Sequence, residues 1–168
     1  IIALFFGHLV GLLTPQWAYH IFMTAGQKQL WAMTAGGIFG TMCLVGMILL
    51  IRRRMTDPRI KATSQPADLP ILLVLFVQLI LGLLTIPYSA QHMDGSSMIA
   101  LASWAQHLVT FQGDAASFVA GEAWVFKSHI FLGMTIFLLF PFTRLVHVWS
   151  VPIQYLSRSG YPIVRKRA

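Results

Sequence analysis

Residues 124–149 read WVFKSHIFLGMTIFLLFPFTRLVHVW, an apolar stretch long enough to cross a bilayer, with His129 and His147 near its two ends. The histidines are eighteen residues apart, about five turns of α-helix, so both imidazoles are expected on one face, about 27 Å apart along the axis. That is close to the thickness of the hydrocarbon core. An ionisable group inside lipid is costly enough to imply a function, and imidazole is an axial ligand of haem iron. Two such sites, one near each membrane surface, would form a path for electrons. Pro141 removes a backbone hydrogen bond within the stretch and is expected to bend it, re-aiming the span between the histidines.

Working outward, the 168-residue chain is 57% hydrophobic and only 10% charged, more apolar surface than one soluble core of this size can hide. The expected fold class is all-α, a transmembrane helical bundle forming a single domain over residues 1–168. The lone Cys43 lies in an apolar run, which excludes a disulfide framework or a cysteine metal site, so any redox chemistry needs a bound cofactor. The formal net charge of +7 comes from Lys and Arg clustered beside apolar segments, the pattern of cytoplasmic loops rather than of a nucleic-acid surface. The chain opens at Ile1 inside an apolar run, without a charged n-region or a cleavage site, so part of a helix is expected to precede it.

Four apolar segments are read: residues 1–13, 30–51, 69–87 and 124–149. The first is too short to span alone and ends at Thr14-Pro15, so it reads as the exit half of a spanning helix. The third has Asp68 as expected N-cap, tolerates Pro70 in its first turn and is expected to stop before Pro87. Arg52, Arg53, Arg54, Arg59 and Lys61 follow the second segment, and Arg158, Arg165, Lys166 and Arg167 follow the fourth, so both stretches are expected in the cytoplasm. Residues 14–29 and 88–123 hold Lys28 as their single Lys or Arg and are expected outside. The chain then runs out, in, out and in. Within the long outer connection, Met98, Leu101, Ala105 and Leu108 follow helical spacing opposite Ser96, Ser103, His107 and Thr110, which predicts a short amphipathic helix.

Depth then decides which histidines can share a metal. His8 lies about five residues before the outer end of the first segment and His129 about five inside the outer end of the fourth, so they can face each other across one haem. Gly7, Gly11 and Gly133 sit beside them and are expected to leave room for a flat macrocycle. His147 lies at the inner end, where His20, His92 and His107 do not reach, so its partner is expected upstream of Ile1. Two axial imidazoles favour electron transfer over oxygen binding. The alternative is that His129 and His147 are interfacial residues satisfied by carbonyls or water. Arg144, one turn before His147, is placed either for a haem propionate or for lipid phosphate.

Three runs, GHLVGLLTP (7–15), LLTIPYSAQHMDG (83–95) and FPFTRLVHVWSVP (140–152), resemble the γ subunit of respiratory nitrate reductase, a membrane dihaem cytochrome b. The resemblance covers essentially the whole chain and implies five transmembrane helices in the family, of which this sequence lacks the first and the start of the second. It implies an outer haem b on His8 and His129. A second, inner haem b would lie on His147 and a histidine further upstream, with Arg144 nearby. It also implies oxidation of a membrane quinol at a site including Lys28, Gly7 and His8. Electrons would pass to an iron–sulfur subunit and a molybdenum catalytic subunit on the cytoplasmic side of the bacterial inner membrane. As the single cation of the outer connections, Lys28 is suited to hydrogen-bond a quinol oxygen, or else to anchor on lipid phosphate.

Two other classes stay open at this point: a cytochrome b subunit of another complex, such as a formate dehydrogenase or heterodisulfide-type reductase, and a non-redox membrane anchor. His92 reads as a turn or surface residue, His20 and His107 as weaker ligand candidates still, and no nucleophile elbow or phosphate loop is present.

Overall fold

A computed structural model describes residues 1–143, 145 and 146, and among these every regular element is helical. The expected all-α bundle is the observed one. In chain order the helices are α1 (Ile2–Leu13), α2 (Gln16–Tyr19), α3 (Ala25–Thr56), α4 (Pro58–Thr63), α5 (Asp68–Ser89), α6 (Ser96–Val109), α7 (Ala115–Val119) and α8 (Trp124–Leu139), the last followed by a 3-10 turn, Phe140–Phe142. Together α3, α5 and the stretch Trp124–Phe142 are long and apolar enough to cross a membrane, and α1 is a shorter apolar helix. Little of their surface is hidden within the chain: Phe131, Phe137 and Ile38 are all more than 60% exposed. In water such surface drives aggregation, whereas in lipid it needs no covering.

Helix ends follow local chemistry more than hydropathy. α3 begins five residues earlier than its apolar run, because Thr24 and Gln27 form a capping box in which each side chain pairs with the other's backbone N–H. Its 32 residues rise about 48 Å, so the helix outruns the apolar core and carries Arg53 and Arg54 in its last turn, against the negative end of its dipole. α1 ends at Leu13 with Thr14 extended before Pro15, as expected.

Two expectations are corrected. Asp68 is not the N-cap of α5: Ala67 is, and the buried Asp68 carboxylate instead accepts from Arg54 at 2.9 Å and from the Gln65 backbone N–H. α5 does not stop before Pro87 but runs to Ser89. A proline in the last turn forfeits a hydrogen bond, but the helix end there is held from outside by Gln29 of α3, which donates to the carbonyls of Ser89 and His92. The interruption expected at Pro141 is present. The α-helix ends at Leu139, and Pro141 sits in the 3-10 turn before extended Thr143, because its ring lacks a donor and crowds the preceding turn.

The long connection after α5 folds back over the bundle as α6 and α7. The amphipathic helix is present, with its buried line running Met98, Ala102 and Ala105, while Leu108 faces outward. Gly95 has φ +88°, and any Cβ there would meet Ala25 at 2.7 Å, so the Met93-Asp94-Gly95 turn rests directly on the start of α3. Gln106 of α6 donates to the Leu12 and Thr14 carbonyls at the end of α1. One end of the bundle therefore gathers the end of α1, the starts of α3 and α8, and the end of α5. The other holds the Arg54–Asp68 pair.

Candidate functional site

α1 and α8 enter the bundle from opposite directions in sequence, which puts His8 and His129 at the same depth. Their ring centres are 6.1 Å apart with planes inclined at 40°. Rings this close could both serve as ligands of one metal at a bond length of about 2.0 Å each. His8 Nδ1 donates to the Leu4 carbonyl at 2.8 Å, which fixes the tautomer and leaves Nε2 with its lone pair. His129 Nδ1 is buried and has no hydrogen-bond partner, a state that costs about 1–3 kcal/mol and is rare unless something else uses the ring.

Among the described residues no three His, Cys, Asp or Glu side chains converge, so a metal at this pair must bring the rest of its ligands with it. A porphyrin would do that, and beside His8 a Cβ at Gly7 would meet nothing within 4 Å. The glycines otherwise divide differently from expectation. Gly11 lies against Met98, and the hollow at Gly133 is filled by Gln78 of α5, whose Nε2 would be 3.0 Å from any Cβ there. Gly133 therefore makes room for a neighbouring helix. The glycine that accommodates the ring of His129 is Gly82, where a Cβ would come 3.0 Å from Cε1.

Lys28 occupies the first turns of α3 and is 8% exposed. Its ammonium points inward, 3.4 Å from the Thr14 carbonyl and 3.9 Å above the Tyr19 ring. The side chain thus lies between elements instead of reaching outward as a lipid anchor does. This placement follows from the end of α1: Pro15 has no N–H to offer, the last carbonyls of the helix are unpaired, and Gln106 and Lys28 supply the donors. Burial raises the Tyr19 hydroxyl above the usual phenol range, keeping the ring neutral beneath the cation. Thr14 is six residues past His8, about 9 Å along the axis, so cation and imidazole belong to one neighbourhood.

The remaining histidines are occupied elsewhere. His107 Nδ1 lies 2.7 Å from Asp114, and that contact holds the Asp114 carboxyl below the usual range. His20 pairs with Gln16. His92 is exposed, gives its carbonyl to Gln29, and lines a polar cavity of about 340 Å³ with Tyr88, Ser97 and Glu122. His147 and Arg144 lie outside the described residues. Sequence reasoning did not single out Tyr19, which lies under Lys28, nor Gln78, Gln29 and Gln106, which act through contacts far away in the chain. The available signal was a glutamine inside an otherwise apolar helix. Lys127, whose Nζ caps the Ala120 carbonyl, is a second cation at this end.

A sequence model of the nitrate reductase gamma subunit family matches residues 1–167. The chain belongs to that family. The respiratory nitrate reductase 1 gamma chain of Escherichia coli is 53% identical over 167 residues, covering 99% of this chain and 74% of the relative. The respiratory nitrate reductase 2 gamma chain of the same organism has the same identity and coverage. The nitrate reductase gamma chain of Bacillus subtilis is 34% identical over 163 residues, 96% of this chain and 72% of the relative. With helices able to cross a membrane, this gamma-family chain is a membrane subunit of a nitrate reductase, an oxidoreductase.

Proposed function

We propose that this gamma subunit is a dihaem cytochrome b of the bacterial inner membrane, with its C-terminus cytoplasmic, that oxidises membrane quinol at the outer face. Its electrons serve an iron–sulfur subunit and a molybdenum subunit that reduces nitrate in the cytoplasm. The observation that carries the reading is the His8–His129 pair at 6.1 Å, one ring with a fixed Nδ1–H tautomer and the other with a buried unpaired nitrogen. When bound there, haem b supplies a one-electron carrier. An inner haem b would be held by His147, with Arg144 beside it.

Around the outer pair, the chain's own groups bind and orient quinol. Lys28 has three N–H donors and uses one on Thr14, so the others are available to a quinol oxygen and stabilise negative charge as its proton leaves. Gly7 exposes backbone beside His8 without a side chain in the way. Oxidation of one quinol releases two protons and two electrons. With protons released outside and electrons drawn inward, each electron moves against about 2.3 kcal/mol per 100 mV of membrane potential.

Reduced-minus-oxidised optical spectra of the assembled nitrate reductase test the reading. Two b-type haems reducible by quinol and reoxidised by nitrate are expected, and His147→Ala should remove the inner haem alone. A complex without b-type absorption in haem-replete cells overturns it in favour of a plain membrane anchor. Haems that nitrate fails to reoxidise point to a different soluble partner.

A further inference from the structure

The polar cavity of about 340 Å³ lies where the end of α5 meets the starts of α6 and α8. Its wall carries one carboxylate, Glu122, with the hydroxyls of Tyr88 and Ser97, the Gln91 carboxamide, the His92 imidazole and the buried Phe126 ring. Ser97 is 3% exposed and donates to Glu122 Oε2 at 3.1 Å, so a buried hydroxyl holds the half-buried carboxylate in place. No Lys or Arg lines the cavity, and among the described residues Glu122 makes no ion pair. A carboxylate partly withdrawn from water without a cation is costly. Next to the cavity, Lys127 gives one N–H to the carbonyl of Ala120, the residue before the lining Gly121, and keeps two for another acceptor. Because α5 and the stretch Trp124–Phe142 are both of membrane-crossing length, their ends here lie at the level of lipid headgroups.

We propose that this cavity binds the headgroup of a zwitterionic aminophospholipid, with its primary ammonium on Glu122 and its phosphate toward Lys127. A primary ammonium brings three N–H donors to a wall rich in acceptors, namely the Glu122 carboxylate, the Gln91 carboxamide oxygen and the Tyr88 hydroxyl. The rings of Tyr88 and Phe126 are compatible with a cation beside them. A lone anion is repelled by Glu122, and a trimethylated ammonium brings no donor. His92 and Glu122 are too few for a metal cage, since among the described residues no three His, Cys, Asp or Glu side chains converge. A lipid seated there ties the end of α5 to the start of α8, the helix that carries His129.

The inference does not depend on haem, and its test reads lipid binding directly. The assembled complex is delipidated in detergent and given phosphatidylethanolamine, phosphatidylcholine or phosphatidylglycerol. Retained lipid is counted by native mass spectrometry, and the midpoint of thermal unfolding is recorded. The parent should prefer phosphatidylethanolamine over phosphatidylcholine and unfold at a higher temperature with it. Glu122→Gln, which can keep the Ser97 bond but removes the charge, should weaken retention of one phosphatidylethanolamine about tenfold or more and cancel the rise in midpoint, with phosphatidylglycerol retention unchanged. Lys127→Met should weaken it by less. Equal retention of phosphatidylethanolamine by parent and Glu122→Gln overturns the proposal. So does a parent that holds phosphatidylcholine as well as phosphatidylethanolamine, a comparison that needs no variant to fold. Phosphoethanolamine without acyl chains that raises the midpoint as far as the lipid does overturns the lipid assignment in favour of a soluble amine.

Discussion

The two ends of the bundle are built differently. At the end where α6 and α7 fold over the helices, buried or half-buried side chains reach between elements to backbone carbonyls: Gln29 to Ser89 and His92, Gln106 to Leu12 and Thr14, Lys28 to Thr14. At the opposite end the described ties are side chain to side chain or local, with Arg54 holding Asp68 and Ser64 beside the α3–α4 turn. Backbone carbonyls cannot change protonation or swing away, so the first kind of tie fixes helix positions, whereas the second joins two groups that can part. The end that carries His8, His129 and Lys28 is the one that is fixed.

The largest test of that contrast is loss of cofactor. His8→Ala or His129→Ala is expected to remove the whole outer haem signal from the assembled complex, while Asp68→Asn, which weakens the other end, should leave haem content at the parental level. Equal loss in all three variants would erase the distinction. Next, Lys28→Ala should slow quinol oxidation about tenfold to a hundredfold, the equivalent of one charge-assisted hydrogen bond of about 1.5–3 kcal/mol, with haem content retained. Steady-state turnover with a soluble quinol analogue measures it. Gln29, 2% exposed, holds two carbonyls. Replacing it with leucine should destabilise the fold by about 2 kcal/mol and lower the midpoint of thermal unfolding in detergent.

The smallest effect concerns pH. His107 holds Asp114 with its pKa below the unfolded value, so the contact stabilises the fold above the normal carboxylate range. That contribution is lost as pH falls through the depressed value. Both groups are at the surface, so Asp114→Asn should flatten the acid limb of a thermal-stability profile only slightly. A large change would mean that α7 braces the site.

Much of the architecture was legible because lipid and charge impose one-dimensional rules. Apolar length marked the spanning helices, and counting residues inward from each end matched His8 with His129. The misses share a cause: the residue's partner lies on another element. Asp68 reads as a local cap until Arg54 is beside it; Pro87 reads as a stop until Gln29 holds the turn beyond it. Gly133 reads as space for a cofactor until Gln78 fills it. The start of α3 is the exception, since Thr24 and Gln27 carry a capping-box signature that polar composition obscured.

The paired hollows on α5 and α8 also act as a gauge of register. Sliding either helix by a residue drives Gln78 and His129 together off their glycines and into bulkier neighbours, so intermediate offsets are forbidden. For the electron carrier proposed above, such a two-toothed latch would hold the hopping distance against thermal breathing of the surrounding lipid.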